Sequence, residues 1–126
     1  KLARWQAISE AAAKQSKRAV VPQVHSVMSF AQALAYADML DVRLIPYEMA
    51  EDMAKTRSLI EEIRPGQSIG IFIGPEGGFA SEEIEQAMAH ATQPITLGKR
   101  ILRTETAGMT VLSILMYTLE GQELKA

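Results

Sequence analysis

Residues 68–78 read SIGIFIGPEGG, and this stretch decides the fold class. Its first part, 68–73, is apolar at successive positions, which is typical of a parallel strand covered on both faces. Its second part, 74–78, is a tight glycine-rich loop, and a helix over 82–91 is predicted to follow it. A covered strand that leads through a short loop into a helix predicts an α/β protein.

The alternation of strands and helices extends to both ends of the chain. Further strands are predicted over 20–24, 42–46 and 94–97, the first of them at an edge because it contains a proline. Helices are predicted over 2–16, 30–37, 59–63 and 104–120, with a polar, irregular segment over 47–55. The length and the absence of a linker predict one domain over 1–126, with a mostly parallel sheet flanked by helices.

The composition excludes several classes of chemistry. The 126 residues include no cysteine, which excludes disulfides, Cys-ligated zinc, iron–sulfur clusters and a thiolate nucleophile. The two histidines, His25 and His90, are 65 positions apart, so the sequence has no metal-ligand spacing and no metal is expected. No apolar run is long enough to span a membrane, which predicts a cytoplasmic protein without a membrane partner. The net charge of −2 by itself argues against bulk binding of nucleic acid.

The loops that follow the strands form the candidate ligand site. Ligands of open parallel sheets bind beyond the carboxyl ends of the strands, and two of the three loops predicted there are rich in glycine. The sequence has neither a P-loop nor a G-x-G-x-x-G fingerprint, and Glu76, Glu82 and Glu83 would repel a phosphate. A neutral or cationic ligand with a nucleoside part fits better, and S-adenosylmethionine is such a ligand. Ordinary stabilisation of the helix end is the alternative for Glu82 and Glu83.

The loop at 97–107, which reads LGKRILRTETA, combines basic and apolar residues. Ile101 and Leu102 are suited to cover the face of a flat adenine ring. Arg103 and Glu105 are predicted to form an ion pair or to contact the substrate. Lys99 and Arg100 are predicted to form only a solvated basic patch.

The last predicted helix is apolar nearly all round. Its apolar residues include Ala107, Met109, Val111, Leu112, Ile114, Leu115, Met116 and Leu119. A helix without a polar face is buried on more than one side, which predicts a homodimer that associates through this helix.

Three separated motifs, at 4–22, 73–83 and 97–107, together resemble one family. The central one reads IGPEGGF followed by an SEE helix start, and the first contains RW, AA, QS and VP pairs. On these residues the chain resembles the RsmE family, small-subunit ribosomal RNA methyltransferases that modify uridine at N3 and belong to the SPOUT superfamily. The resemblance implies methyl transfer from S-adenosylmethionine to ribosomal RNA by a homodimer. It also implies an α/β fold of SPOUT type with a carboxyl-terminal trefoil knot.

The resemblance further implies which residues bind the cofactor and act on the substrate. Cofactor contacts are expected from Leu44, Ile45, Pro46, Gly74, Pro75, Glu76, Gly77, Gly78, Leu97, Gly98, Ile101, Leu102, Arg103, Thr104 and Ala107. Because N3 of uridine is protonated at neutral pH, methylation needs that proton removed or the developing anion stabilised. Arg103 is predicted to stabilise the charge, Glu105 to accept the proton or to orient Arg103, and Arg18 to reach the RNA.

Family members carry an amino-terminal β-barrel that helps to grip RNA, and these 126 residues are expected to hold the catalytic domain alone. RNA binding is then expected to need that barrel, and a net charge of −2 suits a catalytic half. Two alternatives stay open. One is a non-catalytic dimerisation module that binds a nucleoside ligand, and the other is a nucleotide-phosphate binder that uses the glycine-rich turn.

Overall fold

The structure, a computed structural model, describes residues 1–17, 20–50, 52–98 and 103–125. The chain divides into two compact units, Lys1–Phe30 and Ala31–Ala126. The second unit is the larger one, and it contains the sheet and all the strand ends that the structure describes.

The first unit consists of a helix and an irregular segment. Helix α1 spans Leu2–Gln15, as the apolar spacing predicts. The strand predicted over 20–24 is wrong, because the backbone of this segment pairs with side chains of α1 and not with another strand. Gln6 binds it twice: Nε2 donates to the Pro22 carbonyl (3.2 Å), and Oε1 accepts from the Val24 amide (2.7 Å). Pro22 itself has no N–H for a ladder.

The second unit is built on a three-stranded parallel sheet. Its strands are β1 (Val42–Pro46), β2 (Ile69–Ile71) and β3 (Gln93–Ile95), in the order β2-β1-β3. The helices that accompany the sheet are α2 (Phe30–Ala37), α3 (Met53–Glu61), α4 (Ser81–Ala89) and α5 (Thr104–Lys125). Because all three strands are parallel, their carboxyl ends lie together, with the end of β1 in the middle.

The main hydrophobic core lies where α3 and α5 pack on the sheet. Its buried members are Leu44, Ile60, Ile63, Ile95, Val111 and Leu115. The sequence predicts a last helix buried on more than one side, but in this chain only one side of α5 is buried. Val111 and Leu115 are 2% and 4% exposed, whereas Met109 and Met116 are 64% and 58% exposed.

Helices α2 and α4 supply buried residues outside this core. Leu34 of α2 and Ala87 of α4 are fully buried, as is Ile45 of β1, whose side chain points to the face opposite Leu44 by strand alternation. A hydrogen bond between Nδ1 of His90 and the carboxylate of Asp38 (3.0 Å) joins the residues that follow the two helices. The predicted α/β class, with a parallel sheet flanked by helices, is confirmed.

Several predicted elements have different bounds in the structure. The strand predicted over 68–73 is shorter in the structure, where β2 spans Ile69–Ile71. The helix predicted over 59–63 begins earlier, at Met53, because the Asp52 carboxylate accepts a hydrogen bond from the Lys55 amide (2.9 Å) and caps it. The polar segment predicted to be irregular over 47–55 is therefore helical in its last residues.

Candidate functional site

A cavity of about 160 Å³ opens at the carboxyl end of the sheet. Each strand contributes residues at or just past its carboxyl end: Pro46, the last residue of β1, with 47–49 after it, 72–79 after β2 and 96–98 after β3. Thr104 and Ala107 of α5 complete the described lining. We call residues 72–80 the β2 loop and residues 96–103 the β3 loop, of which 99–102 lie outside the described residues.

The β2 loop is closed by its own atoms. The Gly78 amide donates to the Pro75 carbonyl (2.8 Å), and Gly78 has a φ of +75°, which glycine adopts without strain. The ring of Phe79 lies close against Gly74. A Cβ added at position 74 would be only 3.0–3.3 Å from three ring atoms. A side chain at position 74 would therefore displace a ring that lines the cavity.

The β3 loop is held by residues from other elements. The Thr96 amide donates to Oγ1 of Thr56, a residue of α3, in a buried hydrogen bond of 3.0 Å. Oγ1 of Thr96 in turn donates to the Gly98 carbonyl and accepts from the Gly98 amide, both at 3.2 Å. Just past the loop, Oγ1 of Thr104 donates to the Gly74 carbonyl (3.1 Å), which joins the start of α5 to the β2 loop.

The turn after β1 brings a carboxylate to the cavity. The Tyr47 amide donates to the Ile95 carbonyl (3.0 Å), and the Ala50 amide donates to the Tyr47 carbonyl (3.0 Å) to close the turn. Within that turn, Oε1 of Glu48 lies 4.0 Å from the position that a Cβ on Gly78 would take. The Glu48 carboxylate thus lies beside the β2 loop.

The charged residues of the described lining are acidic. Glu48 and Glu76 line the cavity, and no Lys, Arg or His does so in the part of the chain that the structure describes. Glu82 and Glu83 lie outside the lining; the Glu83 carboxylate accepts from the Ala80 amide (2.9 Å), so stabilisation of the helix start accounts for Glu83. A cavity with two carboxylates disfavours a phosphate and favours a neutral or cationic ligand.

Ten of the fifteen residues predicted to contact the cofactor line this cavity. They are Pro46, Gly74, Pro75, Glu76, Gly77, Gly78, Leu97, Gly98, Thr104 and Ala107. The predictions for Ile101, Leu102 and Arg18 fall outside the described residues. Chain segments far apart in sequence thus meet where the strand-end rule expects them.

The remaining predicted residues lie outside the lining. Leu44 and Ile45 are 1% and 0% exposed, because the central strand of a covered sheet is buried on both faces. Arg103 and Glu105 are exposed, and no ion pair joins these two described residues. Arg103 directly precedes Thr104 of the lining, and the Arg103 carbonyl accepts from the amide of Ala107 (2.8 Å), another lining residue.

Seven residues of the described lining were missed by the sequence prediction. They are Tyr47, Glu48, Met49, Phe72, Ile73, Phe79 and Thr96. All of them lie beyond the last paired residue of a strand, so the signal that finds them is position relative to the strand ends. Motif resemblance selects the most distinctive residues and passes over these neighbours.

Two further properties concern the whole of the described chain. Within residues 1–17, 20–50, 52–98 and 103–125, no group of three or more His, Asp and Glu could hold a metal ion. Across the same residues, no helix combines the length and apolar character needed to cross a membrane.

Comparison with known proteins connects this cavity with a family. A family model described as an RNA methyltransferase domain matches residues 1–116. The chain belongs to the RNA methyltransferase domain family. It is 40% identical over 113 residues to ribosomal RNA small subunit methyltransferase E of Mesomycoplasma hyopneumoniae (strain 232), which covers 90% of this chain and 47% of that protein. The predicted resemblance to the RsmE family is confirmed.

Solved structures are similar to this RNA methyltransferase domain. The structure of ribosomal RNA small subunit methyltransferase E from Neisseria gonorrhoeae bound to S-adenosyl methionine gives a TM-score of 0.69 at 36% identity, covering 98% of this chain and 47% of that chain. A Legionella pneumophila protein solved with the bound cofactor SAM gives a TM-score of 0.80 at 31% identity, covering 92% and 46%. The chain thus spans about half the length of the curated relatives it matches.

Proposed function

We propose that the protein is an S-adenosylmethionine-dependent methyltransferase that acts on N3 of a uridine in small-subunit ribosomal RNA. The observation that carries this proposal is the cavity at the carboxyl end of the sheet, lined by glycine backbone, apolar side chains and two carboxylates. Membership of the RNA methyltransferase domain family supports it, as do similar structures solved with this cofactor.

The lining fits S-adenosylmethionine on chemical grounds. A Cβ at Gly77 would meet no atom within 4 Å, so the backbone there is open to close approach by a ligand. Leu97 and Ala107 offer apolar surface to a nucleoside, and the carboxylates of Glu48 and Glu76 favour a cation. When bound, this cofactor supplies an electrophilic methyl group on a sulfonium. The residues of the chain then need only bind, orient and move a proton.

The substrate chemistry is assigned to Arg103 and Glu105. Methylation of N3 requires loss of its proton, which Glu105 accepts, and leaves negative charge on the uracil ring, which Arg103 stabilises. Both side chains are exposed next to the cavity lining, where a nucleotide of the RNA has access to them. Arg18 is assigned to contact with the RNA.

Replacing Arg103 with alanine tests this assignment. In the full-length protein, we expect Arg103→Ala to lower methyl transfer to small-subunit ribosomal RNA by about 100-fold, the order of magnitude for loss of one charge-stabilising group. Binding of S-adenosylhomocysteine, measured separately by calorimetry, is expected to change little. The matched control is Arg57→Ala, at an exposed position on α3 outside the cavity lining. Unchanged transfer in Arg103→Ala would remove this residue from the mechanism.

Titration with two ligands tests the cofactor class. We expect S-adenosylhomocysteine to bind and ATP not to bind, because the carboxylates of the cavity oppose a phosphate. Binding of ATP alone would favour the nucleotide-phosphate binder and contradict the methyltransferase. Binding of S-adenosylhomocysteine without methyl transfer by the full-length protein would favour the non-catalytic dimerisation module.

We also propose that residues 1–126 form a single methyltransferase domain with a trefoil knot between β3 and α5. The family model spans both compact units, which supports a single domain. β3 and β2 lie on opposite sides of β1, and the Thr104 hydroxyl at the start of α5 donates to the Gly74 carbonyl of the β2 loop, which supports the proposed knot. Single-molecule pulling from the two termini tests the knot, which would shorten the extended chain by the residues trapped in it.

A homodimer through α5 is the third part of the proposal. Met109, Leu112 and Met116 are 64%, 54% and 58% exposed, and their spacing puts them on one face of the helix. We expect Met116→Glu to shift the protein from dimer to monomer in sedimentation equilibrium. The matched control is Met88→Glu on α4, where the methionine is 54% exposed. A wild-type monomer, or equal shifts in both variants, would contradict dimerisation through α5.

Ribosomal RNA is the proposed substrate partner, and the cytoplasm, where that RNA is found, is the proposed location. The curated relatives named as ribosomal RNA methyltransferases support both.

A further inference from the structure

Two buried threonines flank strand β3, and they differ in whether their hydroxyl groups are hydrogen-bonded. Thr92, before the strand, is 1% exposed, and its hydroxyl has no hydrogen-bond partner among the described residues. Thr96, after the strand, is 6% exposed, and both its amide and its hydroxyl are bonded. Thr96, whose hydroxyl is hydrogen-bonded, lies at the cavity end of β3, and Thr92, whose hydroxyl is not, lies at the other end.

The partner of the Thr96 amide comes from a distant part of the chain. Thr56 is 40 residues earlier, on α3, and is itself only 4% exposed. The amide of Thr96 is the first one past the paired residues of β3, so no neighbouring strand is paired with it. The Ile95 carbonyl of the same peptide accepts from the Tyr47 amide, so the Thr56 hydroxyl is what satisfies the other half of this peptide. Because a buried amide without a partner is costly, loss of that hydroxyl would favour a shift of the amide at position 96.

The same peptide sets the course of the β3 loop. The hydroxyl of Thr96 bonds both the amide and the carbonyl of Gly98, which has a φ of +107°. Leu97 and Gly98, enclosed by these bonds, line the cavity together with Thr96. A shift of the peptide at position 96 would therefore move three lining residues at once.

We propose that Thr56 is a positioning residue for cofactor binding, although it does not line the cavity. Its hydroxyl satisfies the amide of Thr96, and through Thr96 it holds residues 96–98 in the shape that the cofactor meets. This inference rests on the proposed function, because it requires that the cavity bind S-adenosylmethionine. Without the hydroxyl, the backbone at 96–98 shifts locally to let water satisfy the amide, and the cofactor must restore its position when it binds.

Three substitutions in the purified chain, measured by calorimetric titration with S-adenosylhomocysteine, test the inference. Thr56→Val keeps nearly the same shape and removes the hydroxyl, and we expect it to weaken binding about ten-fold. Thr56→Ser keeps the hydroxyl and is expected to bind within about two-fold of the wild type. Thr92→Val is the matched control, because it removes a buried hydroxyl with no partner from the other end of β3, and it is expected to leave binding unchanged.

Hydrogen exchange without ligand provides a second readout. We expect Thr56→Val to speed exchange in peptides that cover 96–98 and to leave the exchange of the paired β3 amides as it is in the wild type. Thr56→Ser and Thr92→Val are expected to resemble the wild type in the same peptides.

The outcomes separate this inference from the proposed function. If the wild type binds S-adenosylhomocysteine and Thr56→Val binds equally well, the hydroxyl has only a structural role. The positioning role is then wrong and the proposed function stands. If Thr56→Ser binds as weakly as Thr56→Val, the methyl group and not the hydroxyl matters, which also contradicts the inference. A wild type that does not bind S-adenosylhomocysteine contradicts both proposals.

Discussion

The β2 loop and the β3 loop border the same cavity, but they are held in different ways. The β2 loop supports itself, with a turn closed from Gly78 to Pro75 and an aromatic ring laid against Gly74. Residues 96–98 of the β3 loop also have bonds of their own, between the Thr96 hydroxyl and Gly98, but the Thr96 amide depends on a hydroxyl from outside the loop, that of Thr56 on α3. A side-chain hydrogen bond to the β2 loop from another element, from the Thr104 hydroxyl to the Gly74 carbonyl, leaves the turn from Pro75 to Gly78 closed by its own atoms. A turn closed by its own atoms depends less on its neighbours, whereas an amide held from outside transmits changes in its neighbours to the candidate site.

The two loops also differ in charge. The carboxylates of the described lining, Glu48 and Glu76, lie on or beside the β2 loop. The described lining residues after β3 are Thr96, Leu97 and Gly98, and none of them is charged. Among the described lining residues, Glu48 and Glu76 are therefore suited to a cation and Leu97 to the apolar face of a nucleoside.

The largest effect is expected from breaking the self-closed loop. Gly74→Val should lower the free energy of unfolding by about 2 kcal/mol, because the added atoms collide with the Phe79 ring, and it should abolish binding of S-adenosylhomocysteine. Urea unfolding and calorimetric titration measure the two effects. The control is Gly77→Ala, which meets no atom within 4 Å and should change stability by less than about 0.5 kcal/mol. Equal stability of the two variants would show that the Phe79 ring does not hold this loop closed.

An intermediate effect is expected where the two loops are joined. Thr104→Val removes the hydrogen bond to the Gly74 carbonyl and should cost about 1 kcal/mol of stability, measured by thermal or urea unfolding. The matched control is Thr110→Val on the same helix, whose hydroxyl bonds only within the helix, to the Thr106 carbonyl at 2.9 Å. If both variants lose the same free energy of unfolding, the hydrogen bond between α5 and the β2 loop stabilises the protein no more than a hydrogen bond within the helix.

The smallest effect is expected from the charge difference between the loops. Glu48→Gln should weaken binding of S-adenosylmethionine by only about two- to three-fold, because water screens an exposed carboxylate. It should weaken binding of S-adenosylhomocysteine less, because the thioether of that ligand carries no charge. The ratio of the two affinities, measured at low and high salt, isolates the charge. Glu82→Gln removes a carboxylate outside the lining and serves as the control. An unchanged ratio in Glu48→Gln would mean that this carboxylate does not sense the sulfonium.

Prediction from the sequence succeeds where the cause is local. The apolar spacing of α1, the run of apolar residues in β1 and the glycine turn of the β2 loop are all present, because each depends on neighbours along the chain. The prediction fails over 20–24, where the apolar run is typical of a strand but the backbone is hydrogen-bonded to the side chain of Gln6 on α1. The sequence pattern does not indicate that a side chain 18 positions away bonds this backbone in place of a neighbouring strand.

The same difference between local and long-range causes separates the predicted residues of the candidate site from the missed ones. Glycine-rich loops and family motifs predict ten residues of the lining, including the whole turn at 74–78. Glu48 and Thr96 are missed, since their importance comes from lying just past strand ends that meet only in the folded sheet. Leu44 and Ile45 lie outside the described lining, because the order β2-β1-β3 buries the strand that carries them.

The sequence by itself determined the α/β class, the end of the sheet where the cavity lies, the exclusion of cysteine chemistry and the family, because all of these follow from residue types and their order. Only the tertiary structure decided that β1 is central, that both carboxylates lie on one side of the cavity and that a hydroxyl on α3 holds the loop after β3. The physical reason is that a hydrogen bond or a shared charge needs atoms within a few ångströms. Residues separated by 40 positions reach that distance only when the chain has folded.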